Sequence, residues 1–372
     1  MKKHGSLNYL CLQVTREGQA SFSHVHEIVS GLRKRGWHVR LFQPEYYDKA
    51  LYTSLFIRFF LFLLVQIKVL FSRKADVYYF RWHFALFPIA FLLHLLKIPV
   101  IQEINGTLAD LYISYPWTMK LKCFFRVLAL KQLFWAKKIV AVTPQLCTWA
   151  NRLTKEKKSL FVSNCANAVL FNPNAKSNLF KESLQPYVIF FGSLTLWQGI
   201  DVILEATNSK KWPSELKLLI IGNGVMEKTV EDYAKRNPLI IFWNSIPQKD
   251  LAGMVAKAVA GLSSKHDSSK RITTGYAPLK AFEIMASQVP IIVSDTLNLR
   301  KLAKVGAGMA VSGQSSEELA ETINYLYSNP EICEKMGKIG RKLVLNNFTW
   351  DIAAEKTHKL ISEIIKEIST IS

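Results

Sequence analysis

Acidic residues are scarce in the first half of this chain. Residues 1–160 hold 8 Asp/Glu against 24 Lys/Arg, a net charge of +16, whereas residues 161–372 hold 20 against 24, a net of +4. The first half is therefore expected to meet something anionic: a phospholipid surface, a pyrophosphate-bearing acceptor or nucleic acid. Nucleic acid ranks last, because the sequence carries no zinc finger, RNA-recognition repeat or related module. Cysteine is scarce as well. The five present, Cys11, Cys123, Cys147, Cys165 and Cys333, are scattered with no close pair. That argues against a disulfide or zinc framework and for a reducing compartment. Met1-Lys2-Lys3 looks like the start of a signal peptide, but the apolar run 7–14 is short and broken by Asn8 and Gln13. It reads better as a first buried strand, and a cytoplasmic location is expected.

What is present points to a folded chain of about two domains: 372 residues, 49% of them hydrophobic, with Gly and Pro between apolar runs. Runs of five to eight apolar residues alternate with helix-length segments, the pattern of parallel sheets with crossover helices. Strands are expected near 7–14, 37–42, 76–80, 98–103, 138–142 and 159–163, then near 187–191, 216–221, 239–242, 258–263, 289–293 and 307–311. The Pro/Asn-rich stretch 172–186 breaks the series. The expected division is a first domain over 1–173, a linker over 174–186 and a second domain over 187–348. Segments 331–345 and 349–369 read as helices, the last of them completing the first domain. The fold class is α/β with two doubly wound halves, whose natural ligand site is a cleft between them.

Two segments bear on membranes. The run 55–71 is apolar enough to suggest a span, but Arg58, Gln66 and Lys68 interrupt it, each central charge costing about 2.5–3.5 kcal/mol on insertion scales. Wound as a helix, it places Arg58, Gln66, Lys68 and Arg73 on one arc and Phe56, Phe60, Leu63, Leu64, Ile67 and Phe71 opposite. Such a helix suits a membrane interface; the alternative is a crossover helix that buries the apolar face on its own sheet. Segment 116–138 interleaves Lys120, Lys122, Arg126, Lys131, Lys137 and Lys138 with Trp117, Phe124, Phe125, Phe134 and Trp135. Aromatics with snorkelling cations also suit a headgroup layer.

The stretch 274–295, TGYAPLKAFEIMASQVPIIVSD, carries the most chemistry. Pro278 is preorganised for a first helical turn, whose free N–H groups and positive dipole end suit an anion. Lys280 adds a full charge there, and Glu283, one turn on, can accept hydrogen bonds from a ribose. A helix–strand unit with a chance Lys and Glu is the bland alternative. Further elements belong with it: a strand, Gly192 and Gly199 opening a helix, and a strand ending in Gly222-Asn223-Gly224. Gly lets a phosphate approach the backbone closely. Asn164-Cys165-Ala166-Asn167 lies before the linker, where two domains would meet.

The order and spacing of these motifs resemble the retaining glycosyltransferases of family four. That family has the GT-B fold, two Rossmann-like doubly wound domains facing a central cleft. Its second domain reads approximately F-x-G-x-l-x-x-x-x-G-i-d, then l-x-i-x-G-x-G, then s-P-L-K-x-f-E-y-M-A-x-G-x-P-v-v-a-s-D. Here FFGSLTLWQGID, LLIIGNG and APLKAFEIMASQVPIIVSD follow in that order. The family's P-N-G-x-D/N-x3-F-x-P element is matched by SNCANAVLFNP, its N-terminal Gly-rich loop and helix by TREGQASFSHVHEIVSGLRKRGWHV, and an E-x-N-g-p-l element by QEINGTLAD.

The resemblance implies a donor site. Gly192 and Ser193, with Pro278, Leu279 and Lys280, would hold a nucleotide diphosphate-sugar, Lys280 acting as counter-charge for the leaving group. Glu283 would accept from the ribose, Gly222 and Asn223 would line the base pocket, and Gly18 and Gln19 would close over phosphates and sugar. No strong base, metal or cofactor is implied, because the departing phosphate oxygen takes the acceptor's proton and cations stabilise the leaving diphosphate. Three departures stand out. A sugar-contacting Glu is replaced by Gly275, and two usual cations by Ser193 and Gln198; Lys280, Lys270 or Arg271 would substitute.

Beyond the resemblance, Glu103 and Asn105 follow a buried strand at its functional edge, where Glu103 would bind a hydroxyl or make a structural salt bridge. His24 and His26 start the first helix and point too far apart to share a metal; one would face the cleft or simply pack. His266 and Asp267 would face the nucleotide.

The expected function is transfer of a sugar from a nucleotide diphosphate donor to a lipid-linked or polysaccharide acceptor, with retention. The enzyme would sit peripherally on the inner, anionic face of the cell membrane in surface polysaccharide synthesis. The alternatives are a GT-B sugar-nucleotide epimerase and a catalytically weak peripheral membrane scaffold.

Overall fold

A computed structural model describes residues 5–13, 15, 19–44, 54–265 and 277–371. In chain order its elements are β1 (Ser6–Cys11), α1 (Ala20–Lys34), β2 (His38–Phe42), α2 (Leu55–Leu70), β3 (Val77–Arg81), α3 (Phe87–Leu95), β4 (Val100–Ile104), α4 (Ala109–Ser114), α5 (Lys122–Trp135), β5 (Lys138–Ala141), α6 (Pro144–Thr154) and β6 (Ser159–Phe161). They continue with β7 (Tyr187–Phe191), α7 (Ile200–Ala206), β8 (Lys217–Ile221), α8 (Glu227–Arg236), β9 (Ile240–Trp243), α9 (Gln248–Ala256), β10 (Gly261–Ser263), α10 (Leu279–Ala286), β11 (Ile291–Ser294), α11 (Leu297–Leu302), β12 (Gly308–Val311), α12 (Ser316–Ser328), α13 (Pro330–Asn347) and α14 (Trp350–Ile371).

The strands form two six-stranded parallel sheets, in the orders β2-β1-β3-β4-β5-β6 and β12-β11-β10-β7-β8-β9. Strands covered on both faces need no polar side, so β3, β4 and β7 are buried at every position. The order reverses between β1 and β3 in the first sheet and between β7 and β10 in the second. In such sheets the crevice outside the carboxyl ends of the strands flanking the reversal takes the ligand. In the second sheet those ends are Gly192 and Ser263.

The chain divides into two compact units. The first takes most of residues up to 163 and regains 351–372; the second is 164–350 with a short stretch around Gln19. In the first unit α14 docks on α1: Arg35 bonds Glu355 at 2.9 Å and Asp351 at 2.8 Å, and the Trp37 indole N–H donates to His358. Residues 164–173, assigned to the first domain on sequence, pack in the second unit instead. Ala166 bridges to Thr349, and Phe171 joins the core of the second sheet. The stretch 174–186 is likewise pinned, with Asp250 accepting from the Ser177 hydroxyl and the Asn178 N–H, and Gln185 donating to the Lys257 carbonyl.

One helix face differs from the crossover reading. The polar arc of α2 was expected to point outward, at least in the crossover alternative, yet Gln66 is buried. Its amide donates to the carbonyls of Phe62 and Ala85, and its oxygen accepts from the Ile89 N–H. Phe62, Val65 and Val69 pack on the sheet beside it, whereas Phe56, Phe60, Leu63, Ile67 and Phe71 are exposed. Among the described residues no helix is long and apolar enough to cross a membrane.

Candidate functional site

The second unit assembles its chemistry at the sheet's reversal point. β7 is followed by Gly192, whose φ of +114° is left-handed backbone that favours glycine. A Cβ at Gly222 would lie 1.9 Å from the Gly192 carbonyl oxygen, so the turns after β7 and β8 meet backbone to backbone. The Gly192 N–H donates to the Ile221 carbonyl, and the Leu194 N–H to that of Asn223. Asn223, expected at a base pocket, is exposed, and its side chain accepts from the Ser245 N–H at 2.9 Å. Ser193 is exposed beside these turns.

Over the same edge lies α10, all eight of whose residues are buried. Pro278 (φ −71°) stands just before the helix rather than in its first turn, which begins at Leu279. The Asn164 amide donates to the Ala277 carbonyl at 2.6 Å and so fixes the chain entering the helix. Lys280 Nζ then reaches three things at once. It donates to Gln198 Oε1 at 3.2 Å, lies 3.8 Å from the centre of the Phe190 ring, and stands 3.7 Å from where a Gly192 Cβ would be. Gln198, the position where the resembling family carries a cation, is thus the Lys280 partner. Glu283, one turn along, is buried, and among the described residues no hydrogen bond engages its carboxylate. Burial pushes the Lys280 ammonium down to about 7 and the Glu283 carboxyl up to about 7, each charge opposing the other's shift. Gly192 leaves open the space a side chain would fill beside the lysine.

Sequence reasoning missed Ser263 and Thr195. Ser263 is the last residue of β10, the strand that pairs with β7, and is buried, and its hydroxyl and that of Thr195 have no partner among the described residues. A lone serine ending a strand carries no signal in a sequence. Gly18 and Gly275, with His266, Asp267, Lys270 and Arg271, lie outside the described residues. Gln19 is exposed.

The first unit holds a second cluster, centred on Glu103. Register places Arg81 opposite Glu103 and Tyr9 opposite Tyr79 on the face that α1 covers. Glu103 Oε1 takes the Arg81 guanidinium at 2.8 Å, the Asn105 amide at 2.8 Å and His24 Nε2 at 2.9 Å. Oε2 accepts from the Tyr79 hydroxyl at 2.7 Å and the Tyr9 hydroxyl at 3.4 Å. Burial alone would raise this carboxyl, but the His24 charge and hydrogen bond, then Arg81 and Asn105, outweigh it and hold it well below the usual carboxylate range. With 1% of its surface exposed and its lone pairs engaged, Glu103 is the hub of a structural network. Of the two expectations for Glu103, the structure shows the structural salt bridge, with the carboxylate holding Arg81, His24 and Asn105.

Known proteins resemble this chain in part of the sequence and in fold. Residues 172–343 match the model of the family described as "Glycosyl transferases group 1". Over 164 residues, 42% of the chain, the sequence is 29% identical to the putative glycosyltransferase EpsD of Bacillus subtilis (strain 168), and it covers 40% of that protein's length. The fold is that of solved GT-B structures. Sucrose-phosphate synthase from Thermosynechococcus elongatus superposes with a TM-score of 0.79 at 17% identity, over 98% of this chain and 100% of that one. HepE of Anabaena, in complex with UDP-glucose, superposes with 0.69 at 13% identity, over 97% and 100%.

Proposed function

We propose, for a chain whose second unit matches glycosyl transferases group 1 over residues 172–343, that it moves a sugar from a nucleotide diphosphate-sugar to a lipid-linked or polysaccharide acceptor. Transfer retains the anomeric configuration, in cell-surface polysaccharide synthesis at the inner face of the membrane. The observation that carries this reading is a buried lysine and a buried carboxylate one helical turn apart at the reversal point of a doubly wound sheet, the carboxylate without a hydrogen bond among the described residues. A diphosphate would accept from the Lys280 ammonium, and a ribose would donate to the Glu283 carboxylate. The UDP-glucose bound by HepE, a protein of this fold, supports a donor of that class.

In the reaction the bond from the sugar's anomeric carbon to the diphosphate breaks and a new one forms to the acceptor oxygen. The acceptor's proton passes to the departing phosphate oxygen. Lys280 donates to the diphosphate as its charge grows, Gln198 and Phe190 hold the ammonium in place, and the Gly192 turn lets the phosphate close on the backbone.

The test is turnover of a panel of nucleotide diphosphate-sugars by purified protein, with a lipid-linked and a soluble saccharide acceptor. Release of nucleotide diphosphate with an anomer-retained glycoside is expected. Formation of an epimer, or no turnover of any donor, would overturn the reading.

A further prediction arises at Glu283. Glu283→Gln replaces a charge-assisted acceptor, so affinity for ribose nucleotides falls roughly tenfold, about 1.5–3 kcal/mol being the range for such bonds. The loss is smaller for 2′,3′-dideoxy analogues. Titration calorimetry on the folded variant decides it, and unchanged affinity removes Glu283 from the site.

A further inference from the structure

We infer that the outward face of α2 is a seat for an anionic phospholipid bilayer, into whose interface its phenylalanines insert with the helix lying along the surface. The inference deepens the membrane side of the proposed function and rests on it.

The orientation of the helix carries the argument. α2 exposes its apolar side and buries its amide. Phe56 is 89% exposed, Phe60 58% and Phe71 88%, while Gln66 satisfies all its bonds inside, against Phe62, Ala85 and Ile89. The bonds to Ala85 and Ile89 fix the helix rotation, since turning it to hide the phenylalanines would break two hydrogen bonds to the rest of the protein. A surface this apolar is uncommon facing water and marks a contact with an apolar medium. At about 1.5 Å per residue α2 is about 24 Å long, short of the roughly 30 Å hydrocarbon core, and one side of it is held by the sheet. It can lie in an interface but cannot span one.

Neighbouring elements expose apolar side chains as well. Arg58 bonds the Tyr115 hydroxyl, and Phe62 meets His83 edge-on, joining α2 to the segments around α3 and α5. Phe91, Leu95 and Leu96 on and after α3, and Trp117 and Phe124 near α5, are exposed too. Charge selects the occupant. From 54 to 138 the sequence has twelve Lys/Arg and three Asp/Glu. Of the acids, Glu103 is buried and Asp76 is bonded to Ser6, while Lys68, Arg73 and Lys74 are exposed at the end of α2. A second copy of the chain would bring these cations against their own kind as water leaves. Anionic headgroups with acyl chains beneath match both the charge and the aromatics.

The experiment is co-sedimentation of the full chain with phosphatidylcholine vesicles, with and without phosphatidylglycerol, at low salt and in about 1 M salt, where the Debye length is about 3 Å. Wild type should bind anionic vesicles, and a part of the binding should survive high salt because insertion is apolar. Phe56→Ser/Phe60→Ser/Phe71→Ser should lower the salt-resistant partition by about a hundredfold or more, roughly tenfold for each inserted ring. Its melting temperature without vesicles should stay unchanged. Should the triple variant fail to fold, Phe56→Ser alone reads about a tenfold loss on the same scale. Lys68→Glu/Arg73→Glu/Lys74→Glu should weaken binding at low salt.

Equal binding by the phenylalanine variants and wild type overturns the inference, as does a wild-type dimer in light scattering that the triple variant dissolves. No vesicle binding by a wild type that turns over a donor overturns this inference and leaves the transfer reading standing. Phenylalanine-dependent binding without turnover supports the seat and removes the transfer reading.

Discussion

Lys280→Ala should lower kcat/KM for the nucleotide diphosphate-sugar by a factor of about 30 to 1000, equivalent to about 2–4 kcal/mol, the scale of one oriented donor in a dry site. Binding of the nucleoside alone should be untouched, because the ammonium is directed at the diphosphate. Equal losses for nucleoside and nucleotide would remove Lys280 from the phosphate site. The pH dependence supplies an independent reading. Burial pushes free Lys280 down to about 7, and a bound diphosphate raises it again by favouring the charged form. Affinity therefore weakens as pH rises above about 7, by up to tenfold per unit, and binding takes up a proton in that range. Glu283, raised to about 7 by burial, is drawn down by ribose donors, so affinity also weakens as pH falls below about 7. Calorimetry in buffers of different ionisation enthalpy measures the proton uptake directly. Lys280→Ala should abolish the alkaline limb and keep the acid one.

Arg81→Met should destabilise the first unit by about 3–5 kcal/mol, the usual cost of stranding one partner of a buried ion pair. Arg81 Nη1 lies 2.8 Å from Glu103 Oε1, and both side chains are buried. At roughly 2–4 °C per kcal/mol for a unit of this size, the melting transition of that unit should fall by roughly ten degrees. Arg81→Met/Glu103→Gln removes both charges and should recover part of the loss. A single-variant cost below about 1 kcal/mol would show the pair to be solvated, since exposed pairs contribute that much or less. The sign with pH follows from the depressed Glu103 carboxyl. Its stabilisation is complete above the unfolded value near ~4.3 and is lost as pH falls below it toward the lower folded value. Glu103→Gln should flatten that part of the acid-unfolding curve.

The strands were legible because parallel strands covered on both faces spell out uninterrupted apolar runs. YVIFF at 187–191 and the run at 217–221 needed no tertiary information. The motif around Lys280 and Glu283 was legible as a pattern of residues on one helix. What lay beneath was not: the Phe190 ring and the Gln198 amide come from other elements, and periodicity does not assign partners across a sheet. For the same reason Glu103 looked like a ligand-binding carboxylate. Its strand position showed in the sequence, but the register bringing Tyr79 and Arg81 onto its own face did not. Periodicity sorted α2 into two faces and left open which one turned inward. Gln66 decides that, through Ala85 and Ile89 on a segment about twenty residues away.

The return of α14 to the first unit sets an order of synthesis. Arg35 meets Glu355 across 320 residues, and a Cβ at Gly31 would touch that of Ala354 at 2.4 Å, so α1 is shaped for a helix made after the second unit. Residues 164–350 emerge from the ribosome in between as a nearly contiguous unit able to close on itself. At about 5–20 residues per second, the face of α1 that receives α14 stays uncovered for roughly ten to forty seconds after β6 has been made. During that interval the nascent first unit carries an uncovered helix face, and a ribosome paused within the second unit would prolong its exposure.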